Sequence, residues 1–131
     1  MRLLIAAGIA LLAIAGAGCG TDNSSQAVRH TVQGFYAGLQ RHDGAAACRE
    51  LSDDARSSLE SQEKKPCDQA VLSLGLSSSP IGPVQVYVTD ARANLTGGEA
   101  VFLDQTPQGW KISAAGCKPK HEKPYDCELQ A

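Results

Sequence analysis

The chain has no surplus of positive charge, no histidine pair at metal-binding spacing and no close cysteine pair, and each absence removes a class of function. Twelve Lys and Arg face fourteen Asp and Glu, a formal net charge of -2. Such a balance offers no basic field for a phosphate backbone, so nucleic acid is not expected as a partner. His30, His42 and His121 are scattered, and no Ser, His and acid constellation stands out. With 131 residues there is room for about one domain, which excludes separate cofactor and substrate halves. There is no internal repeat. Hydrophobic residues at 43% and charged residues at 20% are close to globular averages, which argues against general disorder.

What the chain does have is concentrated first at its start. Met1-Arg2 supplies a short positive end, and Leu3 to Gly18 then runs without a polar side chain. That is the layout of a secretory signal over residues 1–18. A spanning helix fits less well. At about 1.5 Å per residue the run reaches roughly 24 Å, short of an apolar bilayer core of about 30 Å. Its small residues Ala15-Gly16-Ala17-Gly18 suit a peptidase cleft.

Cys19 follows directly. Gly16-Ala17-Gly18-Cys19 resembles the lipobox of bacterial lipoproteins, in which small residues precede a cysteine that becomes the first of the mature chain. The resemblance implies a thioether-linked diacylglycerol on Cys19 and a signal peptidase II cut after Gly18. Gly16 stands where that family prefers Leu or a similar aliphatic residue, so a signal peptidase I cut after Ala15 or Ala17 is the competing reading. Cysteine parity favours lipidation. An ordinary cut would leave Cys19 as an odd thiol among five cysteines, whereas acylation leaves four able to pair. Two or three acyl chains, at about 0.8 kcal/mol per buried CH₂, hold a protein on a bilayer where one lets it exchange. The expected location is the extracytoplasmic face of the cell membrane, in the cell envelope, with secretion as the alternative.

Residues 19–26 are small and polar and read as a flexible tether, leaving one domain over 27–131. From Ala27 onward, Val28, Val32, Phe35, Tyr36 and Leu39 form one helical stripe, with Ser25 as N-cap and Asp43-Gly44 as the break. A short helix over 45–51 carries Cys48. Ser52-Asp53-Asp54 caps a third over 55–63. Pro66 opens a fourth, with Cys67, Ala70, Val71 and Leu74 on one face and Gly75 as its stop. The period then changes. Residues 84–89 alternate as a strand, and Ala91, Ala93 and Leu95 resume the alternation past a bulge near Asp90. Residues 99–105 return with Val101-Phe102-Leu103 apolar on both faces, the mark of a central strand covered twice. Trp110 to Ser113 makes a third strand of a meander. Helices first and antiparallel strands second give an α+β domain with its sheet packed on a helical layer.

Phe35-Tyr36, the phrase from His42 to Cys48, the step Leu51-Ser52, and the closing Gly109-Trp110-Lys111-Ile112 and Gly116-Cys117 resemble the nuclear transport factor 2-like (SnoaL-like) fold over residues 27–117. That fold is a cone of helices wrapped by a curved sheet, and the chain is similar to its small bacterial exported lipoproteins. The resemblance implies a noncatalytic ligand-binding or protein-interaction module, for a small molecule or an envelope protein. The alternative it implies is an isomerase or cyclase acting on a hydrophobic compound, with an acid or base inside the cone. No catalytic residue emerges from the sequence itself. Asp53 and Asp54 are explained by capping, and Asp90 and Asp104 by strand ends. Tyr36, Tyr87 and Trp110, with Phe35 and Phe102, are the aromatic residues available for a pocket or partner face.

Cys48, Cys67, Cys117 and Cys127 allow three pairings. Cys48–Cys67 and Cys117–Cys127 are expected. Cys67 lies on the apolar stripe of its helix, and Cys48 shares the inward side of its own with Ala45 and Leu51. Such neighbours can reach the roughly 5.5 Å Cα separation that a bridge needs. Cys117 and Cys127 bracket a polar, proline-containing stretch unable to order itself by burial. Zinc is the other use of four cysteines, but the intervals are all longer than the usual two to four residues, and export favours oxidation. Neither metal nor cofactor is expected.

Overall fold

A computed structural model describes residues 21–121 and 124–131. The signal segment and Cys19 lie outside the described residues. Helix α1 spans Thr21–Gln40, α2 Gly44–Arg49, α3 Asp53–Glu63 and α4 Cys67–Ser73; strands β1 Ile81–Tyr87, β2 Asp90–Leu95, β3 Ala100–Thr106, β4 Gly109–Lys118 and β5 Asp126–Gln130 follow. The layout is α+β, as the change of period implies.

Helix α1 starts at Thr21 rather than Ala27, so residues 21–26 are helical instead of a tether and Ser25 is not the cap. Once the stripe of Val28, Val32, Phe35 and Tyr36 is buried, each added residue contributes a hydrogen bond without a new nucleus, which offsets the weak propensity of Thr, Asp, Asn and Ser. The helix ends in a Schellman turn. Asp43 N donates to Gly38 O at 2.8 Å and His42 N to Leu39 O at 3.1 Å, with His42 left-handed at φ 55 in the place usually held by glycine. Asp43 then caps α2, its Oδ1 accepting from Ala46 N at 3.0 Å. Ser52 caps α3 in the same way through Ala55 N.

A disulfide joins Cys48 of α2 to Cys67 of α4, with Cα atoms 6.2 Å apart. Ala45 faces solvent, so the inward companions of Cys48 are Ala46, Ala47 and Leu51. Gly44 makes this approach available: a Cβ there would overlap the carbonyl of Asp68 in α4.

Among the described residues five strands, not three, form the sheet. They pair antiparallel in chain order β1-β2-β3-β4-β5, and the sheet stays open. The segment expected as one strand past a bulge is a hairpin whose turn is Val88-Thr89, with Tyr87 opposite Asp90. The fifth strand comes from the tail. Cys127 lies directly opposite Cys117 in the β4–β5 register, and the two are bridged. Just before Cys117, Gly116 sits at φ 65 where β4 carries an extra residue against β3, a glycine-dependent bulge. Beyond β5 the same edge of β4 meets the α2–α3 connection: Ser52 N donates to Ile112 O at 2.9 Å and Ile112 N to Glu50 O at 2.8 Å.

The main core lies between the helices and one sheet face, where Val28, Val32, Phe35, Leu51, Leu59 and Val71 meet Ala93, Val101, Leu103, Ile112 and Leu129. On the other face Ala100, Ala114 and Cys117 are buried beneath Phe102, Tyr125 and Cys127. Phe102 and Tyr125 pack edge to face at 4.9 Å. The middle strand β3 is thus covered twice, by helices on one side and by the end of the bridged tail on the other.

Candidate functional site: a cleft beside helix α1

The structure does not gather Tyr36, Tyr87 and Trp110 into one aromatic face. Trp110 is buried at the start of β4, where its carbonyl accepts from Thr31 Oγ1 at 3.1 Å. Phe35 is wholly buried. Tyr87, 56% exposed, lies at the end of β1, and its neighbour Val88 is bare at the hairpin tip. Gln85, two residues earlier, accepts from Arg92 Nε at 3.3 Å and Asn94 Nδ2 at 2.9 Å. Tyr36 is different. It is 4% exposed, packs edge-on against Phe35 at 5.1 Å, and its hydroxyl is buried with no hydrogen-bond partner.

Tyr36 also lines a cleft of about 580 Å³ between α1 and residues 78–81. One wall is a helical stripe: Arg29, Val32, Gln33, Tyr36, Ala37 and Gln40 recur every three or four residues and so share a face. The other wall leads from α4 into β1. It is held from behind, because Ser79 Oγ accepts from Gly97 N at 3.1 Å and Pro80 O from Thr96 N at 2.9 Å. Arg29 clamps one end, donating to Gly82 O at 2.8 Å and Ile81 O at 3.4 Å. Burial, reinforced by the carboxylate of Glu99, raises the Tyr36 hydroxyl well above the ordinary phenol value. It therefore stays protonated and remains a donor.

The sequence signals the tyrosine but not the second wall. Ser77-Ser78-Ser79-Pro80 marks a loop, and only the polar residues flanking the α1 stripe, Arg29, Gln33 and Gln40, hint that something packs there. A larger cleft of about 680 Å³ on the other sheet face is bordered by Phe102, Ser113, Ala114, Tyr125 and Asp126. Three of its polar side chains already have protein partners: Ser113 donates to Asp104, Tyr125 accepts from Arg92, and Asp126 pairs with Lys120.

The remaining candidates are placed plainly. Asp53 and Asp54 are exposed in the first turn of α3, and His30, His42 and His121 are exposed. Among the described residues no group of three or more His, Cys, Asp or Glu could hold a metal ion. The interior polar residues Thr31 and Ser52 both serve the fold. Asp104 lies within β3 rather than at its end, directly opposite Asp90. Partial burial, and then the Asp90 carboxylate, raise its pKa above the ordinary 3.8. A carboxyl that holds its proton more tightly folded than unfolded favours the native state in acid and loses that contribution as pH rises past 3.8. Asp104→Asn keeps an acceptor for Ser113, so it is expected to be more stable than wild type at pH 7. Water screens the pair, so the gain is about 0.5 kcal/mol. Denaturant titrations across pH check it, since the gain should vanish in acid.

No family model, curated protein or solved structure matches the chain. No helix among the described residues is long and apolar enough to cross a membrane.

Proposed function

We propose that the protein is an exported lipoprotein, held at the extracytoplasmic face of the cell membrane by a diacylated Cys19, whose domain is a noncatalytic binding module of the nuclear transport factor 2-like type. The observation that carries the binding role is the Tyr36 hydroxyl, interior and unpartnered at the wall of an open cleft. Among the described residues, four helices followed by an antiparallel meander support the fold assignment, and two disulfides suit an oxidising compartment. The bare Val88 and Tyr87 at the hairpin tip favour an envelope protein as a second kind of partner.

Two measurements test this. Intact-mass analysis of the membrane form is expected to show a chain beginning at acylated Cys19 with two closed bridges. Cys19→Ser should be released or remain uncut while the domain stays folded; retention in the detergent phase equal to wild type would refute lipidation as the anchor. For the cleft, Nile red, a neutral dye, should bind wild type at one site and be excluded when Ala37→Trp fills the groove. Equal binding by both would place the site elsewhere.

A further inference from the structure

The kind of molecule the cleft accepts follows from the charges around it, given the binding role argued above. Phenylalanine, as at the adjacent Phe35, would supply a similar ring without an orphaned hydroxyl. Buried polar groups in folded proteins nearly always have a partner, so an unmet donor at a cleft wall marks a position for an acceptor. The sign of that acceptor is constrained. Glu99 places negative charge near the hydroxyl, which disfavours an anion beside it. Gln33, Gln40, Ser78 and Ser79 are neutral, and Arg29 already donates to two backbone carbonyls of the wall. No carboxylate lines the cleft itself, and the positive charge of Arg29 in its wall opposes a cation that Glu99 would attract. Ala37, Pro80 and Ile81 supply the apolar surface.

We propose that this cleft takes a small uncharged amphiphile, its carbonyl oxygen accepting a hydrogen bond from Tyr36 Oη and its apolar body lying against Ala37, Pro80 and Ile81. The hydroxyl is buried behind the cleft wall, so binding requires that wall to yield. A cleft of about 580 Å³ falls in the range that small ligands occupy.

Three eight-carbon probes that differ only in the head group test the assignment: octanamide, octanoate and octylammonium, titrated against wild type and Tyr36→Phe with backbone amide NMR as readout. Octanamide is expected to shift resonances of α1 around Tyr36 and of residues 78–81, and to bind about tenfold more tightly than either charged probe. Tyr36→Phe should weaken octanamide about tenfold, the loss of one well-made hydrogen bond, and leave the weak octanoate binding unchanged. That variant removes an orphaned polar atom and should melt no lower than wild type, so a failure to fold does not obscure the result. Octanoate or octylammonium binding as tightly as octanamide, or equal octanamide binding by Tyr36→Phe, overturns the ligand class while leaving a binding cleft. Absence of any shift at the cleft with all three probes overturns both.

Discussion

Replacing Gly44 with alanine is expected to cost about 3 kcal/mol and to impair closure of the Cys48–Cys67 bridge. The added methyl would occupy the position of the Asp68 carbonyl, whose Cα also lies too close, so relief requires moving the α4 backbone rather than a side chain. Helix α4 is only Cys67–Ser73, and it starts at the bridged cysteine, so moving it displaces Cys67 from Cys48 and lifts Ala70 and Val71 from the core. Equilibrium unfolding and a thiol count under denaturing conditions read both effects. A variant with the wild-type midpoint and no free thiols would show that α2 and α4 do not meet through this glycine.

Removing the same bridge outright should rank next. The paired change Cys48→Ala with Cys67→Ala is expected to cost about 3 kcal/mol, chiefly by restoring freedom to the unfolded chain across a sequence separation of 19. Cys117→Ala with Cys127→Ala removes a bridge that closes a separation of 10, and loop length alone makes the loss milder by only about 0.5 kcal/mol. Position adds to the difference. Strand β5 keeps its pairing of Ala114 with Gln130 and Ala115 with Leu129, and Leu129 is buried in the main core, so its far half stays docked without the bridge. Helix α4 has no such ladder. Melting shifts that are equal, or larger for the second pair, would contradict this ordering.

How much of this was readable from residues alone depends on whether one element carries the signal. The α1 stripe, the Ser52 cap and the inward Cys67 are local patterns, and each names its element correctly. The β1–β2 hairpin was hidden because Val88-Thr89 offers neither glycine nor asparagine, while the alternation before it resumes beyond the turn and imitates one interrupted strand. Strand β5 was hidden for the opposite reason: Asp126 to Gln130 is mostly polar, and what makes it a strand is its partner β4 and the bridge, not its own pattern. The candidate site is half local and half tertiary. Tyr36 was visible as an inward polar tip, but its missing partner and the opposing wall at residues 78–81 exist only after the loop is pinned to the β2–β3 turn. Trp110, an aromatic candidate for a pocket or partner face, is part of the main core, and Thr31 of α1 holds its backbone carbonyl.

The split edge of β4 has a consequence for self-association. One half of that flank is occupied by β5 and the other by the connection through Leu51, so a foreign strand finds no continuous ladder to extend there. The outer edges left to a foreign strand are β5, only five residues long, and β1, where Pro83 supplies no N–H and the Arg29 guanidinium already occupies two carbonyls. Crowding many copies together should therefore leave them as separate particles rather than fibrils.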